Sequence, residues 1–160
     1  MKKIILPLLA LVLFCACGKN VLIDDTHSFN NAKWLRFEPE SFSVEAPNTD
    51  DCFNFIVTLQ IDTAAFHEAG LPLMIEVNSP VGDTRTLFST LLLRNHENHW
   101  MGDINSQGIL EVSQVVRQFY FFNSVGTHSI NISQRTSKYE IHGINSIKFK
   151  VEKTKIVYPE

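Results

Sequence analysis

Phe42, Val44 and Ala46 alternate with Ser43 and Glu45, and Pro47-Asn48 ends the run. Phe53, Phe55, Val57, Leu59 and Ile61 then alternate with Asn54, Thr58 and Gln60. Successive side chains of a strand point to opposite faces, so this period of two predicts strands with one buried and one wet face. The strand-like pattern starts near Lys33. It breaks at residues 63–70, where Ala64, Ala65, Phe66 and Glu68 suit one or two helical turns and Gly70 is a stop.

Leu73, Ile75 and Val77 resume the alternation, and Asn78-Ser79-Pro80 with Gly82-Asp83 leads into residues 84–93. Two runs separated by turn residues predict a hairpin. Residues 94–108 are polar apart from Trp100, Met101 and Ile104 and read as a long loop with one aromatic anchor. Residues 109–122 carry Phe119-Tyr120-Phe121-Phe122, and this aromatic content favours strand over helix. After the turn at residues 123–126, His128, Ile130 and Ile132 alternate with Ser129, Asn131 and Ser133. In the last run Ile147, Phe149 and Val151 face in, while Lys148, Lys150 and Glu152 face out. About eight strands separated by turn signals predict an all-β, antiparallel β-sandwich. A closed barrel is the runner-up. An outer-membrane barrel would need longer strands and aromatic girdles at both ends.

Ahead of this pattern stands a different one. Met1, Lys2 and Lys3 precede an apolar run over residues 4–14, followed by Cys15-Ala16-Cys17-Gly18. A charged start, a short apolar stretch and a small residue before a cysteine make a bacterial lipoprotein signal. The run is shorter than the roughly 17–25 residues a spanning helix needs. The small Ala16 precedes Cys17, whereas Phe14 precedes Cys15, so Cys17 is the expected lipidation site. Residues 1–16 would be removed, and fatty acyl chains such as palmitate on Cys17 would anchor the mature protein. Each buried CH₂ contributes roughly 0.8 kcal/mol, so several chains hold firmly where one does not. Residues 17–31, with Gly18, Lys19, Asn20, Asp24, Asp25 and few periodic apolar positions, read as the lipidated terminus and a flexible tether. Residues 32–160 would be the sandwich domain.

Charge and cysteines add little chemistry. The 160-residue chain has a formal net charge of −3, and losing Lys2 and Lys3 makes it two charges more negative. A mildly acidic domain lacks the electrostatic footprint for nucleic acid or anionic lipid, so anchoring falls to the acyl chains. With Cys15 removed and Cys17 acylated, Cys52 has no disulfide partner and reads as a small buried hydrophobe.

Candidate sites are sparse. His96-Glu97-Asn98-His99 offers two imidazoles and a carboxylate, but without helical spacing no common face is enforced, and a solvated loop is the simpler reading. Asp24-Asp25, Asp50-Asp51, Asp83 and Asp103 would serve Ca²⁺ only if several loops converged, with Asp51 and Asp103 the pair to watch. Otherwise they are turn formers. No nucleophile motif is present, and neither an enzyme, a cofactor nor a metal is expected. Trp34, Trp100 and Phe122 are the candidate binding surface. Core is the simpler assignment for such aromatics. Phe121 and Phe122 are adjacent, so in a strand they point to opposite faces and one of them is exposed or covered by a partner.

Several of these residues also carry a resemblance. Trp34 near the first strand, Gly82-Asp83, Trp100-Met101-Gly102, Phe121 with Gly126, and the run 128–135 leading to Ile141-His142-Gly143-Ile144 resemble the gliding motility lipoprotein GldH family. The similarity spans residues 34–152. Two positions depart from the family pattern. Residues 102–108 replace a tight Gly-x-Gly repeat, and His128 replaces an aromatic. The resemblance implies an outer-membrane-anchored lipoprotein of the gliding and type IX secretion machinery, without enzymatic activity or cofactor, whose partners are other envelope lipoproteins or motility and secretion proteins. The periplasmic face is favoured because no run of acids follows Lys19. The competing reading is a carbohydrate- or peptidoglycan-binding module, and a metal-dependent hydrolase comes third.

Overall fold

The alternating segments pair into two facing antiparallel sheets. The computed structural model describes residues 20–156, so the signal at residues 1–16 and Cys17 lie outside the described residues. The strands are β1 (Val21–Ser28), β2 (Lys33–Leu35), β3 (Glu40–Ala46), β4 (Cys52–Asp62), β5 (Gly70–Asn78), β6 (Thr84–Leu92), β7 (Asp103–Ile104), β8 (Ile109–Phe121), β9 (Gly126–Gln134), β10 (Glu140–His142) and β11 (Ile144–Thr154). One sheet has the order β1-β11-β4-β8-β7 and the other β3-β9-β5-β6. A ribbon of β10 and β2 closes one end. The antiparallel sandwich expected from the alternation is the fold.

The inward positions are those the alternation assigns. Phe53, Phe55, Val57, Leu59 and Ile61 of β4 lie beside Ile147, Phe149 and Val151 of neighbouring β11, and Ile75, Ile130 and Ile132 line the core from the opposite sheet, all buried. An aromatic cluster fills one half of the core: Phe55 lies 4.6 Å from Tyr120 and 5.5 Å from Phe149, ring centre to ring centre. Offset and edge-on contacts of this kind are the favoured aromatic geometries. Cys52 is buried, as a small hydrophobe would be, and its thiol faces the Thr154 carbonyl at 3.4 Å.

The tether expected over residues 17–31 is a correction. Val21–Ser28 is a strand that pairs with β11 from Val21↔Glu152 to Ser28↔Ser146. The segment lacks alternation because Leu22 and Ile23, its partly buried apolar residues, are adjacent, and the exposed Asp24, Asp25 and Thr26 follow in a row. It is held by the ladder to β11 and by His27, which stacks on Phe42 at 4.3 Å and meets Glu40 Oε2 at 2.8 Å. The domain therefore starts by Val21 instead of residue 32.

Two further expectations change. Residues 63–69 form a turn without a helix, in which the Phe66 amide donates to the Asp62 carbonyl at 3.0 Å, and Gly70 opens β5 instead of ending a helix. The chain from β10 to β11 crosses this turn at Gly143, whose φ is +86° and where a Cβ would stand 2.8 Å from the Phe66 nitrogen. Only glycine fits such a position. The polar stretch 94–108 is not all loop, since β7 within it pairs with β8 at Asp103↔Glu111 and Ile104↔Leu110.

Candidate interaction surface

The three candidate binding aromatics are not brought together. Trp34 is 1% exposed, stacks on Phe29 at 5.0 Å, and its indole N–H donates to the Glu38 carbonyl at 3.2 Å. Phe122 is also 1% exposed, packed against Phe53 and His128. Both are core, which corrects their assignment to a surface. Phe121 and Phe122 do point to opposite faces, and Phe121 is the outward member of the pair. Trp100 is half-buried, and one face of its ring is taken by the Arg94 guanidinium, 3.6 Å from the ring centre. A sugar-stacking platform thus loses Trp34 and Phe122 to the core and one ring face of Trp100 to an arginine.

The candidate metal residues fare similarly. His96 and His99 flank Glu97 at 3.9 and 3.5 Å on an exposed loop. Among the described residues no three His, Cys, Asp or Glu side chains are grouped so as to hold a metal ion. Asp51 and Asp103 do not converge. Asp103 lies level with Glu111 and hence with Gln60, nine positions along β4 from Asp51, a separation on the order of 30 Å at 3.3 Å per residue. Asp51 is engaged elsewhere. Its carboxylate meets Lys153 Nζ at 2.7 Å and accepts from Asn48 Nδ2 at 2.9 Å. The Lys153 bond, with Asn48 in support, holds its pKa below the usual carboxylate value.

His128 is a core residue. It is fully buried, its ring lies tilted against Phe122 with centres 4.7 Å apart, and its Nδ1 lies 3.0 Å from the Gly126 carbonyl. It fills core volume and fastens the turn between β8 and β9.

The feature that stands out is the edge of β6. Exposed sheet edges are pairing templates, and proteins blunt them with charge, proline, bulges or cover. The other outer strands carry such devices. β1 has a register break between Val21 and Ile23 and the acids Asp24 and Asp25. β3 is bounded by Glu40 and Glu45. The stretch of β8 beyond the short β7 has two register breaks against β4, and in the second Phe119 takes a φ of +52°. β6 pairs with β5 without a break over nine residues and contains neither lysine nor proline. Among the described residues its outer edge has no strand partner.

Side chains from β8 and β6 itself tie that edge down at its ends only. The Leu92 amide donates to Gln114 Oε1 at 3.1 Å, and Gln114 Nε2 donates to the Leu92 carbonyl. At the other end the Arg85 guanidinium donates to the Phe121 carbonyl at 3.2 Å. Bonding directions alternate along a strand, so the amides and carbonyls of Thr86, Phe88 and Thr90 point the same way as those of Leu92, toward the open side. On the outer face above them Phe88 is 72% exposed, directly across from Met74, and Leu92 is 55% exposed. The signal for this patch was present in the sequence as Leu87-Phe88 and Leu91-Leu92-Leu93, where apolar residues occupy both parities.

In sequence, the GldH lipoprotein family model matches residues 21–151, from the first residue of β1 into β11. No curated protein matches the chain. The match covers most of the chain and nearly all of the sandwich, including the strand that the sequence pattern alone left as tether, and the chain accordingly belongs to the GldH lipoprotein family.

Proposed function

We propose that this protein is a lipid-anchored, non-enzymatic assembly component of the gliding motility and type IX secretion machinery, held at the periplasmic face of the outer membrane through Cys17. Its partner is another envelope protein, which adds an extended segment to the open edge of β6. Strand addition supplies main-chain hydrogen bonds for affinity and alternate side-chain contacts for specificity. The observation that carries this reading is the edge of β6, open between its tied ends at Arg85 and Leu92, with Phe88 exposed above it. Thr86, Phe88 and Thr90 would pair with the incoming strand, and Phe88 and Met74 would pack on its apolar side chains. Anchoring on a membrane raises the effective concentration of such a partner. Family membership supports the lipoprotein character.

A photo-crosslinker at Thr90, on the open edge beside Phe88, in the otherwise native lipoprotein tests this. Motility or secretion components should be captured above an inert lipoprotein control, and Phe88→Asp should reduce their recovery about tenfold or more, as for loss of a central apolar contact of roughly 1.4 kcal/mol. Recovery no greater than the control would overturn the proposal.

A further inference from the structure

The residues that join the sandwich to its anchor are few. Cys17 precedes Val21 by four positions, and a chain spans at most about 3.3–3.6 Å per residue, so Val21 lies within about 14 Å of the lipidated residue. A tether reaching to residue 31 would have allowed about 50 Å on the same measure. The sandwich itself is longer than the link. β4 has eleven residues, roughly 36 Å at 3.3 Å per residue.

The strand register decides which end is held down. Val21 is level with Glu152, Thr154 with Cys52, and Cys52 with Phe121. In the other sheet Ala46 is level with Gly126, and Asn78 with Ser129 and Thr84. The chain entry, the loop 47–51, the β5–β6 turn at 79–83 and the β8–β9 turn at 122–125 therefore share one end. The ribbon of β2 and β10, with Phe37 and Tyr139, lies at the opposite end.

The tips of the two turns on the anchored end are apolar. Val81 is 68% exposed and Val125 is 60% exposed. They are brought close by Pro80, whose ring lies 3.4 Å from where a Cβ on Gly126 would be. The charged groups around them are engaged: Lys153 with Asp51, Asp83 with Asn123, and Glu45 with Thr127. Only Asp51 among these acids meets an opposite charge; Asp83 and Glu45 keep their negative charge while bonded to neutral side chains, which argues against an acidic ligand at this end and for an uncharged lipid surface under the two valines.

We infer that this end of the sandwich rests on the lipid surface, with Val81 and Val125 seated among the headgroups. The inference depends on lipidation at Cys17, as proposed above. The acyl chains supply the attachment, the four-position link removes the standoff, and the two valines fix the orientation. The strands then run away from the membrane, with Thr84 of β6 at its near end and Leu92 at its far end. The open edge thus faces sideways to a partner on the same membrane.

The test uses the mature lipoprotein on phosphatidylcholine vesicles containing doxyl-labelled phosphatidylcholine. An environment-sensitive fluorophore is placed in turn at Val81→Cys, Val125→Cys and Tyr139→Cys, with the buried Cys52 left in place. Labels at 81 and 125 should shift to the blue and lose about half their emission or more, as expected for groups roughly 5–10 Å into the headgroup boundary. The label at 139 should behave as in water. If the protein floats with the vesicles but all three labels respond alike, the orientation is wrong while the anchor stands. If it does not float, lipid anchoring fails and the orientation fails with it.

Discussion

The side-chain amide of Gln114 binds the backbone of Leu92 in both directions, accepting from its N–H and donating to its C=O. A side chain of β8 thereby does for the end of β6 what a neighbouring strand would do. It leaves the middle of that edge open and stops the strand at its far end from peeling away. Gln114→Ala should cost about 1–2 kcal/mol, in the range for two hydrogen bonds partly replaced by water. Hydrogen exchange at the Leu92 amide should accelerate while amides in β4 stay protected to the global level. Unchanged exchange at Leu92 would show that the clamp does not hold the edge.

The N-terminal strand offers a second test. Removing residues 21–28 from a tether would leave stability unchanged. Removing β1 deletes the ladder on one side of β11 and uncovers Phe42, on which His27 stacks. Deletion should lower the unfolding free energy by more than about 2 kcal/mol, as loss of a packed element does. It should also expose the edge of β11 to self-association. A urea midpoint within error of the full-length domain would contradict the role of β1.

Glycine positions separate strain from crowding. At Gly143 a Cβ meets the Phe66 nitrogen at 2.8 Å and the backbone φ is +86°, whereas at Gly82 φ is +93° with nothing within 4 Å. Gly82→Ala should cost on the order of 1 kcal/mol from backbone strain alone. Gly143→Ala should cost clearly more, about 3 kcal/mol or above, because the turn at 62–66 must also move. Equal losses in thermal unfolding would mean that the turn yields freely.

Tyr120 carries a buried hydroxyl without a well-formed hydrogen bond, with the Arg85 guanidinium as its polar neighbour. Burial raises its pKa above the usual tyrosine value, and the Arg85 guanidinium 5.9 Å from the ring centre works against that rise. A raised folded pKa means that the contribution is intact below the unfolded value and is lost as pH climbs through the folded one. Stability should therefore fall above about pH 10, and Tyr120→Phe should blunt that fall. At neutral pH the same substitution should be neutral or stabilising by up to about 1 kcal/mol, because an unpaired polar group leaves the interior. A loss larger than that would show that the hydroxyl is bonded.

The chemistry of the sequence was legible chiefly as absence of pattern, and the candidate surface only partly. Core was the simpler assignment for Trp34 and Phe122 and is where they lie, but which aromatics stay at the surface was not legible, because a lone aromatic carries no record of what lies across the sandwich from it. Phe88 was visible only as an apolar residue on a threonine-rich face. Its exposure follows from β6 being the last strand of its sheet, which is a property of strand order. The role of Gln114 depends on β8 passing beside β6, residues 22 positions apart in sequence.

What the sequence by itself determined is the set of strands whose two faces differ. β4, β5, β9 and β11 alternate because each has one face in the core, and the period of two is local. The Cys17 motif is equally local. What only the tertiary structure decided is everything that rests on neighbours. Val21–Ser28 is a strand because β11 has an edge to pair, not because its own residues alternate. The bonding capacity of a backbone amide is the same in a tether and in a ladder, and a partner brought from more than 100 positions away determines which it becomes.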